Sequence, residues 1–221
     1  MNSLDSYIGQ IIDVEVSSKK SIIGKLLEVG SDIIVLFNGQ HYVYLPVVHL
    51  ISVKKVETTY TEEYINNDMS PFEKEEKQLS MKQILTNASG KFVELFLTGS
   101  HTVHGYIRYV KEDYIVFDSP AFKTIYIPIV HLKWLIPYIN QTPYQIKIGQ
   151  QFNSSDESFA HTFKEQMKMY IGKIVLFDLG KDSGKIGILN QVDPVLVELV
   201  TGNGKTIYLN MTHLKSMHEG K

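Results

Sequence analysis

Tyr44-Leu45-Pro46-Val47-Val48-His49-Leu50 returns as Tyr126-Ile127-Pro128-Ile129-Val130-His131-Leu132 and again as Tyr208-Leu209-Asn210-Met211-Thr212-His213-Leu214. The shared pattern is Tyr-aliphatic-x-x-x-His-Leu, with the histidines 82 residues apart each time (131 − 49 and 213 − 131). Upstream of each copy, Gly9, Gly90 and Gly172 open a run of alternating apolar residues, and a second glycine follows 15 positions later at Gly24, Gly105 and Gly187. Anchors recurring in one order at nearly fixed spacing define an internal repeat, and a repeat decides the architecture before any single element is considered.

Within a repeat the apolar period is two, which puts every second side chain on one face of a strand. The first copy predicts strands around Ile11 to Val16, Leu26 to Val29, Ile33 to Leu36, Tyr42 to Leu45 and Leu50 to Val53. The second predicts Val93 to Leu97, Gly105 to Val110, Tyr114 to Phe117, Thr124 to Ile127 and Leu132 to Leu135. The third predicts Ile174 to Leu179, Gly187 to Val192, Val195 to Val200, Thr206 to Leu209 and Leu214 to Met217, with Asn203-Gly204 as its hairpin signal. Five short strands bury little as a flat sheet, so the expected fold is mainly β: three tandem five-stranded Sm-like (SH3-like) small barrels closed on themselves. The glycine of the second strand is expected to permit sharp coiling.

The expected organisation is a first barrel over 1–56, an acidic linker over 57–78, a helix and second barrel over 79–139, a linker over 140–154, and a helix and third barrel over 155–221. Phe72, Leu79, Ile84 and Leu85 suggest the first helix. Ser155-Asp156-Glu157 is read as the opening of the second, with Phe159, Phe163 and Met167 on one face. Only one turn, Ser3 to Tyr7, fits before the first barrel.

The net charge of −2 and the lack of a dense Lys/Arg cluster disfavour a phosphate-backbone ligand. Cysteine is absent, which excludes disulfides and thiolate chemistry and fits a reducing compartment. No basic and apolar export signal is read at the N-terminus, and Ile125 to Ile139 is too interrupted for a spanning helix, so no membrane role is expected.

The repeated His49, His131 and His213 could supply one imidazole each to a shared ion. Buried between apolar residues at a strand corner, they read instead as packing residues bonded to backbone carbonyls. His101 and His104 are placed in an exposed loop without a carboxylate partner. Gly180, Gly184 and Gly187 lack the spacing and following helix of a phosphate loop. Asp32 and Asp113 correspond to each other but are replaced by Val195 in the third repeat, and turn chemistry accounts for them. With no nucleophile elbow and no recurring acid, no catalytic residue, metal or cofactor is assigned, and the chain is expected not to be an enzyme.

Each repeat resembles the Sm-like fold, although the stretches where RNA-binding members carry their loop motifs read Asp32-Ile33-Ile34-Val35-Leu36 and Val47-Val48-His49-Leu50. The whole is similar to the three-repeat region of spore outer-coat protein B of endospore-forming bacilli, whose units end in a Tyr-containing strand followed by His-Ile/Leu-Lys-Ser-Ile. His213-Leu214-Lys215-Ser216-Met217 matches it best; His131-Leu132-Lys133-Trp134-Leu135 and His49-Leu50-Ile51-Ser52-Val53 follow more loosely. The family's Gly-Gly-Pro-Glu loop is replaced here by Ser17-Ser18-Lys19-Lys20 and its counterparts. The resemblance implies a structural protein made in the mother-cell cytoplasm and placed in the spore coat or exosporium, binding copies of itself or other coat proteins. The alternative it leaves is an Sm-like nucleic-acid or small-ligand binding module. Gly9, Gly24, Tyr44 and His49, with Gly90, Gly105, Tyr126, His131, Gly172, Gly187, Tyr208 and His213, form the repeat signature.

Overall fold

The computed structural model describes residues 4–17, 20–57, 72, 79–99, 101–138 and 158–220. These hold fifteen strands and two α-helices. The first repeat gives β1 (Ile11–Val16), β2 (Lys20–Val29), β3 (Ile33–Phe37), β4 (Tyr42–Pro46) and β5 (Leu50–Lys55). Helix α1 (Met81–Asn87) precedes β6 (Phe92–Leu97), β7 (His101–Val110), β8 (Tyr114–Ser119), β9 (Lys123–Pro128) and β10 (Leu132–Pro137). Helix α2 (Phe163–Lys168) precedes β11 (Ile174–Phe177), β12 (Ile186–Val192), β13 (Leu196–Thr201), β14 (Thr206–Asn210) and β15 (Met217–Glu219).

The chain divides into two compact units, one of residues Met1–Ile107 with Leu132–Ile139 and one of Arg108–His131 with Asn140–Lys221. The boundary falls inside the second repeat. In the first unit the strands lie in the order β5-β1-β2-β3-β4-β10-β6, with the N-terminal part of β7 beside β6. In the second the order is β14-β13-β12-β11-β15-β9-β8. The pairings between these strands are antiparallel.

The expected closure of each repeat on itself is not what the ladders do. In the first repeat β4 does not return to β5; its outer edge takes β10, through Tyr44 opposite Leu135. In the third, β15 pairs on one side with β11 and on the other with β9, where Met217 lies opposite Tyr126. The cores mix repeats in the same way. Ile12, Val14, Leu26, Ile34, Leu36 and Leu45 of the first repeat pack with Ile136 and Trp134 of β10. Val175, Phe177, Leu189, Val197, Leu199 and Leu214 of the third pack with Tyr114, Val116 and Tyr126.

The glycines hold equivalent jobs. Gly9, Gly90 and Gly172 have φ of 84°, 74° and 86°, which L side chains rarely adopt. Their N–H groups donate to Leu26, Ile107 and Leu189 respectively, each the seventeenth residue onward. Gly24, Gly105 and Gly187 lie opposite Ile12, Val93 and Val175, the same register in each repeat. At Gly24 and Gly187 the reason for glycine is close backbone approach: an added Cβ would meet the Phe37 carbonyl oxygen at 2.7 Å and that of Val200 at 2.3 Å.

Both helices are shorter than the sequence pattern suggests. α1 starts after Ser80, whose side chain accepts from the Gln83 N–H, so Leu79 lies before the helix, as does Phe72. α2 starts after Thr162, which forms a capping box with Glu165, so Phe159 also lies outside. The proposed start at Ser155-Asp156-Glu157, the linker over 140–154 and most of the acidic linker over 57–78 fall outside the described residues. The turn before Gly9 is a 3-10 turn, Asp5–Tyr7.

β15 also begins later than Leu214. The Lys215 N–H donates to the Asp178 carboxylate at 2.7 Å, and the Asp178 N–H donates to the Ser216 carbonyl, so this stretch is held by Asp178 before it joins the ladder. His101 and His104 are on β7 rather than in a loop. His101 is buried, and His104 has the Glu94 carboxylate at 3.3 Å, a partner contributed by the neighbouring strand.

Gly187→Ala is expected to cost about 2 kcal/mol, from the backbone shift that the Val200 carbonyl forces. Gly202→Ala, at a glycine with nothing within 4 Å of the added Cβ, is expected to stay within about 0.5 kcal/mol of the parent. Urea denaturation of the two variants measures the difference.

Candidate functional site

What recurs among the described residues is a joint between consecutive repeats, built twice from equivalent residues. In the first unit, β4 presents Tyr44 to Leu135 of β10. Asp32, in the β2–β3 turn, accepts the Met81 N–H at 2.8 Å and so caps the first turn of α1. The Ser31 N–H and hydroxyl both donate to the Leu79 carbonyl. Phe72 packs on the Tyr44 ring at 5.2 Å.

In the second unit, β9 presents Tyr126 to Met217 of β15. Asp113, in the turn before β8, accepts the Phe163 N–H at 2.8 Å and caps α2. The Glu112 N–H donates to the His161 carbonyl at 3.3 Å. The Tyr126 hydroxyl lies 2.6 Å from that of Tyr170. Tyr114 donates to the Ala160 carbonyl at 2.8 Å and lies 3.1 Å from Gln166, and burial pushes its phenol well above the usual range.

Asp32 and Asp113 therefore act beyond their own turns, each fastening the helix that leads the next repeat. Their partners are 49 and 50 residues away in sequence, which is why a local reading finds only turn chemistry. The third repeat has Asp193-Pro194-Val195 at this place. Pro194 has no N–H and Val195 no carboxylate, so the helix seat is missing there.

Lys133 adds a contact to the first joint. It is fully buried on β10, its ammonium donates to the Ser17 carbonyl, and it lies over the Phe96 ring at 5.6 Å. Burial lowers its pKa. Lys215 occupies the matching position in the third repeat and, with Lys185, binds the Asp178 carboxylate instead. Burial alone would raise the Asp178 pKa, but the Lys185 hydrogen bond, the Lys215 N–H and both ammonium charges bring it below the usual value.

The repeated histidines do not act as one buried set. Each ends a 3-10 turn (Val47–His49, Ile129–His131 and Met211–His213), but His49 and His131 are only half-buried and His213 is exposed, so the expected buried corner imidazole is found in none of the three. No group of three or more His, Cys, Asp or Glu that could hold a metal ion occurs among the described residues. No helix among them is long and apolar enough to cross a membrane.

A protein of Bacillus subtilis (strain 168) called "Uncharacterized protein YwrJ" is 35% identical to this chain over 223 residues, covering 99% of each. The chain belongs to the YwrJ family. A family description named "YwrJ third domain" matches residues 162–217, from the α2 cap to the first residue of β15 in this YwrJ-family chain.

Asp178→Asn keeps an acceptor but removes the charge that holds Lys185 and Lys215, and is expected to cost about 2 kcal/mol at neutral pH. Because the native carboxyl titrates below its unfolded value, its contribution is complete above the unfolded pKa and is lost as pH falls through the native one. Parent and variant should thus converge in stability on acidification, as urea midpoints measured at a series of pH values will show.

Proposed function

We propose that this protein is a non-enzymatic assembly protein of the bacterial spore coat or exosporium, made of three tandem Sm-like barrels that bind copies of the chain or other coat proteins through strand edges. The observation that carries the reading is the twice-built joint: a fourth strand pairs outward with the fifth strand of the following repeat. A chain that already links its repeats by edge pairing has the chemistry to extend the same ladder to another chain. The Tyr-x-x-x-x-His-Leu signature, resembling that of spore outer-coat protein B, and a relative over the full length from a Bacillus favour this setting.

A fluorescent fusion followed through sporulation tests the proposal. The expected outcome is synthesis in the mother cell and a shell of signal around the forespore that persists on the released spore. Signal spread evenly through vegetative cytoplasm, with none on spores, would sink the coat reading.

A further inference from the structure

Among the described residues, no strand covers the equivalent edge of the third repeat. Tyr44, Tyr126 and Tyr208 each stand five residues before the repeated histidine. Tyr44 is 0% exposed and Tyr126 is 4% exposed, each lying opposite a residue of the next repeat's fifth strand; Tyr208 is 61% exposed. β14 pairs with β13 on one side, and among the described residues no strand meets its other side. The Met211 N–H donates to Val195 and the Thr201 N–H to Lys205. By the alternation of an antiparallel ladder, the backbone N–H and C=O of Tyr208 then point outward. Unpaired strand edges of this kind are normally blunted by charge, proline or a bulge. Thr206–Asn210 carries no charge and no proline, and its register with β13 is unbroken. In the two joined repeats the last residue of the fourth strand is Pro46 or Pro128; here it is Asn210.

The complementary edge is on the first repeat. The residues that meet Tyr44 and Tyr126 are Leu135 and Met217, each the fourth after the repeated histidine; Val53 holds that position in β5. β5 pairs with β1 alone among the described residues. Ile51 is 60% exposed, whereas Lys133 at the same position of β10 is fully buried.

We infer that β14 of one copy of this chain takes β5 of a second copy, antiparallel, with Tyr208 opposite Val53. This rests on the assembly reading and specifies its contact. The joint repeats the strand ladder of the two internal joints and omits the helix seat, since Asp193-Pro194-Val195 offers no cap and Glu198 stands where Val35 and Val116 are buried. It therefore forms reversibly with concentration. The two edges differ, so the contact is head-to-tail: an open chain of copies keeps one free edge of each kind, at its two ends, unless it closes.

Sedimentation of the full chain from dilute to concentrated solution tests this. The wild type is expected to associate. Tyr208→Pro and Val53→Pro, each removing an outward N–H, are expected to weaken self-association by about a hundredfold. Asn210→Pro, which restores the residue of the joined repeats, is expected to leave it unchanged. A mixture of Tyr208→Pro and Val53→Pro should give a one-to-one dimer and nothing larger, because each variant retains the edge the other lost. Tyr208→Lys and Val53→Lys serve where a proline variant melts earlier than the parent. A wild type that stays monomeric, a Val53 variant that associates as the parent does, or a mixture that stays monomeric overturns the inference. Spore localisation of the same variants separates the two ideas: a monomeric wild type that still reaches the spore coat leaves the coat reading standing, and a head-to-tail assembly absent from spores removes that reading alone.

Discussion

A strand at the margin of a sheet leaves every second N–H and C=O unpaired, and this chain is organised around how those groups are satisfied. The fourth strands of the first two repeats turn theirs toward the fifth strand that arrives from the following repeat, at Leu135 and at Met217. Once that ladder forms, Tyr44 and Tyr126 are covered, and the apolar residues of β10 and β15 enter a core begun by other strands. A five-stranded unit of this size buries a smaller share of its surface than a larger domain does, and sharing a core between neighbours raises the apolar area removed from water per residue. The open ladder is thus part of what makes such short strands stable.

The aspartates show how the joint is kept in register. A single strand pairing could slip, since backbone hydrogen bonds alone do not identify a partner. Asp32 and Asp113 fix the start of α1 and α2 relative to β3 and β8, and the Ser31 and Glu112 N–H groups hold the residues just before the helices. The third repeat, which lacks the helix-capping aspartate, has its own polar lock. Asp178 gathers Lys185 and Lys215 at a position six residues after Gly172, where the other repeats have Glu15 and Phe96. The repeats share a backbone plan, while their polar contacts differ between the two that seat a helix and the one that does not.

Much of this plan is local and therefore legible in sequence. Period-two patterning with Gly9, Gly90 and Gly172 locates the strands to within a few residues, because those glycines are required by positive φ and by one recurring hydrogen bond. The longer apolar patterns place the helix starts too early, although Thr162 and Glu165 form a capping box readable from spacing alone. What no local pattern shows is pairing between repeats. Asp32 looks like a turn residue until Met81 is beside it, and Leu135 looks like any core leucine until Tyr44 is across from it. The late start of β15 has the same origin, since the carboxylate that holds Lys215 lies 37 residues earlier.

Tandem linkage changes what a strand joint has to achieve. Repeats on one chain meet at the effective concentration set by the linker, so a modest ladder aided by a helix cap stays closed at any protein concentration. The same ladder between separate chains must offset lost translational freedom without that help, and it competes with the hydration of an exposed edge. Proteins that gain nothing from such an edge blunt it, because an uncharged strand carrying Ile207, Tyr208 and Leu209 invites unwanted pairing. In the third repeat Pro194, Val195 and Glu198 offer no helix seat, while the strand beside them is neutral and, among the described residues, unpaired on its outer side. A strand ladder without its helix seat has fewer contacts to offset the lost translational freedom, so a joint built on it alone would open and close with concentration.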